Sequence, residues 1–104
     1  MNIEEITSTD FDSAIAIGVT VVDCYAKWCQ PCQRMLKILP KFAESYSDKI
    51  KFYKLDVDEN KELCDNLNVE SIPTFIIYKD GIEVYRWDGI KTLLDMSRIL
   101  SNYV

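Results

Sequence analysis

The sequence predicts an α/β domain with a mixed sheet and helices on both of its faces. Three observations carry this. Residues 19–26 form a β-branched, apolar run interrupted only by Asp23, apolar runs at helical spacing lie on either side of it, and two late strand-like runs are joined by Asp80-Gly81. A strand without a polar face has to be covered on both sides, as in parallel sheets flanked by helices. An Asp-Gly dipeptide suits the tight turn between antiparallel strands, so the sheet is mixed.

Taken in order, Thr9 with Asp10 and Asp12 reads as a helix start, with Phe11, Ala14 and Ile15 on one face and Gly18 as the stop. Val19 to Ala26 follows as a central strand. From Gln33 to Ser47 the positions Met35, Leu39, Phe42 and Tyr46 recur at helical spacing, with Leu36 and Ala43 widening the stripe. Ile50 to Val57 reads as a strand, and Lys61 to Leu67 as a short helix turning Leu63, Cys64 and Leu67 inward. Thr74 to Lys79 and Ile82 to Trp87 form the hairpin. After Gly89, the spacing of Leu93, Met96, Leu100 and Tyr103 predicts a closing amphipathic helix.

No repeat, linker or low-complexity segment divides the 104 residues, so residues 1–104 read as one domain. With 48% hydrophobic and 28% charged residues the composition is that of a folding chain with a core of its own. A net charge of -5 argues against nucleic acid and anionic membranes as partners, because both require a cationic face. Glu4 and Glu5 stand where an export signal carries positive charge, and the longest uncharged stretch, Ser13 to Val22, is far too short to span a bilayer. The expectation is a cytoplasmic protein.

The chain has no histidine, which removes Cys-His and Ser-His nucleophile pairs and every imidazole ligand. In a reducing compartment its four cysteines are thiols, metal ligands or a catalytic pair rather than staples. Trp28-Cys29-Gln30-Pro31-Cys32 lies where a strand hands over to a long helix. A thiol there is activated, because unpaired backbone N–H groups and the helix dipole stabilise its thiolate. Cys29 is therefore the expected nucleophile. Pro31 suits the first helical turn, and Cys32, about one turn on, can close a small ring with Cys29.

Two metal readings compete. A zinc site would need Cys24 and Cys64 as its remaining ligands. The spacing Cys24-x4-Cys29-x2-Cys32 with a distant Cys64 also matches a plant-type two-iron, two-sulfur electron carrier. Against the cluster, Cys24 lies within an apolar strand, and Trp28 and Pro31 crowd the interval. Cys24 and Cys64 read more simply as small buried hydrophobes.

Asp23 interrupts a buried strand, where desolvation raises a carboxyl pKa and lets the group hold or accept a proton near neutral pH. It could serve Cys32 as a base or be purely structural. Lys54, if buried, needs a carboxylate neighbour, for which Asp23 is the candidate; an exposed face is the plainer reading. Ile72-Pro73-Thr74 opens a strand at a position where proline is tolerated. Trp87 reads as core or hairpin packing rather than a substrate contact.

With these residues in hand, the sequence resembles the thioredoxin family over essentially its whole length. Val21-Val22-Asp23 precedes Trp28-Cys29-x-Pro31-Cys32, followed by Lys54-Leu55-Asp56-Val57-Asp58, Ile72-Pro73-Thr74, Lys79-Asp80-Gly81 and Gly89. The resemblance implies the thioredoxin fold, five strands between four helices. It implies Cys29 as attacking thiolate, Cys32 as resolving thiol, Asp23 as proton carrier with Lys54 beside it, and Pro73 as a cis-proline against the dithiol. Trp28, Gln30, Pro31, Ile72, Pro73, Thr74 and Gly89 would line the substrate groove. It further implies a monomer without a cofactor, fed electrons by a thioredoxin reductase and reducing disulfide-containing client proteins. A non-catalytic binding module on the same fold is the third alternative.

Two departures stand out. Gln30 replaces the family's usual glycine; a neutral amide adds no cation, so the potential should stay reducing, on the order of -270 mV, the value carried over from thioredoxin itself. Lys37 stands where the family's long helix has a proline, and Pro40 should move the bend.

Overall fold

The computed structural model describes residues 3–104. Its elements in chain order are β1 (Glu4–Ile6), α1 (Phe11–Ile15), β2 (Val19–Tyr25), α2 (Gln30–Glu44), β3 (Ile50–Asp56), α3 (Lys61–Asn66), β4 (Thr74–Lys79), β5 (Ile82–Asp88) and α4 (Leu93–Leu100). The strands form one mixed sheet in the order β1-β3-β2-β4-β5. β3 runs parallel to both β1 and β2, and β4 runs antiparallel to β2 and β5.

Every residue of β2 is buried, as its two-faced apolar pattern demands. One sheet face presents Val19, Val21, Ile50, Phe75 and Ile77 to Met35, Leu39 and Phe42 of α2 and Met96 and Leu100 of α4. The opposite face presents Val22, Cys24, Leu55 and Ile76 to Phe11 and Ile15 of α1 and Cys64 of α3. The core therefore lies in two layers, one on each side of the sheet. Trp87 is buried in the first, stacked on Phe75 at 4.9 Å between ring centroids.

Three local features depart from the pattern read in sequence. β1 has only three residues, with Glu4 and Glu5 exposed and Ile6 buried, too short for an alternation to register. α1 begins at Phe11, with Asp10 rather than Thr9 at the N-cap position; the Asp10 carboxylate accepts the backbone N–H of Thr7 at 2.6 Å. α2 starts at Gln30, ahead of its apolar stripe, and ends at Glu44, short of the Ser47 its spacing predicts.

The hairpin turns at Asp80 and Gly81, whose φ values of 51° and 86° are both left-handed, as a two-residue turn of this hand requires. The Asp80 carboxylate also accepts the Gly18 N–H at 2.8 Å, tying the turn to the end of the α1–β2 connection. No helix among the described residues is long and apolar enough to cross a membrane.

Candidate active site

The end of β2 and the start of α2 build the reactive corner. Ala26 accepts the N–H of Cys29 at 3.2 Å, leaving Cys29 in an extended conformation at the N-cap of α2. Cys29 Sγ accepts the N–H of Cys32 at 3.2 Å, the bond a capping side chain makes to the third helical residue. Pro31 occupies the first turn, where no N–H is needed. Cys29 and Cys32 are joined as a disulfide, their Cα atoms 5.2 Å apart. Cys29 is 5% exposed and Cys32 0% exposed, so of the two cysteines only Cys29 borders solvent.

Facing this corner is the loop before β4. The Ile72-Pro73 bond is cis, and Ile72 packs on the small cluster of Tyr25, Ala26, Cys29 and Cys32. Pro73 O accepts the N–H of Gly89 at 2.8 Å, which holds the β5–α4 connection beside the loop. Gly89 has φ 83°, a conformation that suits glycine. Gln30 is exposed on the rim and Pro31 half-buried. Thr74 is buried and donates its hydroxyl to Ser71 O, so it braces the loop from within instead of presenting a surface.

Trp28 is the most prominent surface feature here, a large aromatic 70% exposed. Its indole N–H donates to the Asp58 carboxylate at 2.7 Å. Next to it, Lys27 Nζ approaches Glu59 at 3.9 Å. Nothing in the sequence pattern gives Asp58 a role, because a contact across thirty residues has no local signature.

Asp23 lies fully buried in β2, in register with Lys54 on β3 and Phe75 on β4. Strand alternation puts it on the face of Val19 and Val21, which α2 covers. Neither carboxylate oxygen has a hydrogen-bond partner. Burial pushes its pKa up to about 7, and the Lys54 charge pulls in the opposite direction. Lys54 is neither exposed nor ion-paired. It is half-buried, forms no carboxylate contact within 4.0 Å among the described residues, and holds its ammonium 5.5 Å from the centroid of the Tyr25 ring.

The four cysteines do not converge. Cys24 and Cys64 lie in the apolar layer on the far face with Phe11 and Ile76, where burial pushes both thiols up, Cys64 to about 11. No three cysteine sulfurs come within ligand reach of one another among the described residues. The geometry supports neither the iron–sulfur nor the zinc reading, and the two outlying thiols are the buried hydrophobes their positions suggested.

A disulfide between the N-cap and third residues of a helix, at the end of a central strand and with one of its cysteines bordering solvent, is the site of a thiol–disulfide oxidoreductase. The thioredoxin family model matches residues 2–102, and the chain belongs to that family. It is 38% identical over 104 residues to the thioredoxin of Staphylococcus epidermidis, covering the whole of both chains. Among solved structures it resembles Plasmodium falciparum thioredoxin, with TM-score 0.89 and 32% identity over 98% of this chain and 100% of that one. A mutant thioredoxin from Halobacterium salinarum NRC-1 also superposes with TM-score 0.89, at 27% identity over 98% of this chain and 90% of the other. The chain is a thiol–disulfide oxidoreductase.

Proposed function

We propose that the reduced chain cleaves disulfides of client proteins, with Cys29 attacking and Cys32 resolving. The carrying observation is the unequal placement of the two cysteines, Cys29 at the helix N-terminus bordering solvent and Cys32 fully enclosed behind it. The Cys29 thiolate attacks one sulfur of the client disulfide and forms a mixed disulfide, and the other client sulfur leaves as a thiolate. Cys32 then gives its proton to the Asp23 carboxylate, and its thiolate attacks the Cys29 sulfur. The Cys29–Cys32 disulfide closes, the second client thiolate leaves, and two electrons have moved from chain to client.

Asp23 suits that proton step because a group titrating near 7 is half ionised at neutral pH. The Lys54 charge opposes the effect of burial and so favours the ionised carboxylate that accepts the proton. Trp28, Gln30, Pro31, Ile72, Pro73 and Gly89 form the surface that receives the client, with Thr74 supporting it. A thioredoxin reductase returns the two electrons, and no cofactor is needed in this chain. It works as a monomeric single domain in the cytoplasm.

The test is reduction of insulin by purified variants. Cys29→Ser is expected to abolish turnover, and Cys32→Ser to accumulate a mixed disulfide visible on a non-reducing gel. Full turnover by Cys29→Ser would sink the mechanism. A binding module would instead retain its partner with both residues changed to serine.

A further inference from the structure

Asp58 holds Trp28, and something must hold Asp58. It lies in the 57–60 connection, between β3 and α3, exposed and free of any other side-chain bond among the described residues. The order in that connection comes from Asp56, the last residue of β3, which is 1% exposed. Its Oδ1 accepts the backbone N–H of Asp58 at 2.9 Å and of Glu59 at 3.3 Å. A side chain bonding the main chain two and three residues ahead closes a tight turn and fixes the direction in which those residues leave it.

The same turn is anchored from behind. Asn60 donates its amide to Asp56 O at 2.9 Å, while its Oδ1 accepts both the N–H and the hydroxyl of Ser8, each at 2.9 Å. The two residues whose N–H groups Asp56 captures are those that reach back to the reactive corner, Asp58 to Trp28 and Glu59 to Lys27. An exposed aromatic adjoining Cys29 would otherwise sample several rotamers, and each client would have to order it on docking.

We propose that Asp56 is a positioning residue for disulfide exchange, acting through the 56–60 turn and the Asp58 carboxylate to hold in one orientation the indole of Trp28, the residue that precedes Cys29. The proposal rests on the reading of the Trp28 surface as the client-docking face. Asp56 touches neither the sulfurs nor the client. Its contribution is a docking surface already ordered before the client arrives, so its loss falls on KM and spares kcat.

The experiment pairs two readouts on the full-length oxidised and reduced protein. The first is the indole N–H signal of Trp28 in nitrogen-15 NMR, with the buried Trp87 indole as internal reference. The second is the KM for insulin, with dithiothreitol regenerating the dithiol. Asp58→Ala and Asp56→Ala are both expected to shift the Trp28 signal, to speed its solvent exchange about tenfold and to raise KM by roughly three- to tenfold, with kcat within about twofold. The Trp87 signal stays in place. Asp56→Asn, whose amide oxygen still accepts the two N–H groups, returns both readouts towards wild type.

Wild-type exchange and KM in Asp58→Ala would overturn the proposal, as would an unmoved Trp28 signal in folded Asp56→Ala. Should that variant not fold, Asp56→Ser is the milder probe, and an unmoved Trp28 signal there has the same force. A wild-type protein that does not reduce insulin would instead strike the exchange reading, while the indole signal would still decide whether Asp56 governs Trp28.

Discussion

At the scale of single residues, the informative feature is a carboxyl without a partner. Asp23 is enclosed, and both of its oxygens lack a hydrogen bond. Its folded pKa of about 7 stands well above the ordinary carboxyl value, so the folded state holds the proton more tightly than the unfolded chain does. The contribution to stability is thus fully present below about pH 4 and is lost as pH rises through about 7. The loss from this group amounts to roughly 4 kcal/mol at most. Urea unfolding of the oxidised protein is expected to show wild-type stability falling across that window. Asp23→Asn should lack that fall and exceed wild type at pH 8. Parallel profiles would mean that the buried carboxyl does not titrate in this range. The sequence made Asp23 legible because a charge inside an apolar run is conspicuous. Lys54 was half legible: its register with Asp23 follows from two adjacent parallel strands, but its position over the Tyr25 ring depends on rotamers no pattern encodes. The Trp28–Asp58 bond was not legible at all.

At the scale of elements, legibility followed length and periodicity. β2, α2 and the hairpin are long enough for their apolar spacing to identify them, whereas β1 exists only because β3 offers it an edge at Tyr53 to Leu55. Five strands were expected from the family resemblance, and the fifth is the one the residue pattern missed. The hairpin allows a sharp test, since its turn residues were chosen by backbone conformation. At Gly81 a Cβ would meet nothing closer than the Ala16 Cα at 4.0 Å, so any cost of substitution is conformational and not steric crowding. Gly81→Ala, forced to hold φ 86°, should lower stability by about 1 kcal/mol or somewhat more. Gly81→Asn should cost less, because asparagine tolerates left-handed backbone. Equal losses in thermal unfolding would show that the turn relaxes to another type on substitution. Neither variant should alter insulin reduction, since the turn lies at the opposite end of β4 from Pro73.

For the whole molecule, the question is which way the fold biases the Cys29–Cys32 couple. The two apolar layers hold the sheet together in either redox state, so the disulfide adds to an existing fold instead of creating one. It links residues only three apart in sequence. Chain-entropy arguments give a ring that short about 2 kcal/mol of stabilisation, near the low end for disulfides. By linkage, a fold more stable when oxidised makes its dithiol a better electron donor, and about 2 kcal/mol corresponds to roughly 40 mV towards the reducing side. The expected outcome is that the oxidised protein melts higher than the reduced one, by about 10 °C for a domain of this size. Scanning calorimetry on both forms at pH 7 measures it. A reduced form that melts higher would mean that the fold favours the dithiol, which would make the couple an oxidant and reverse the direction proposed for electron flow. Gln30 bears on the same balance. A neutral amide between the cysteines adds no charge to stabilise a thiolate, so Gln30→Gly should leave the melting difference nearly unchanged, whereas Gln30→Arg should narrow it by stabilising the reduced state.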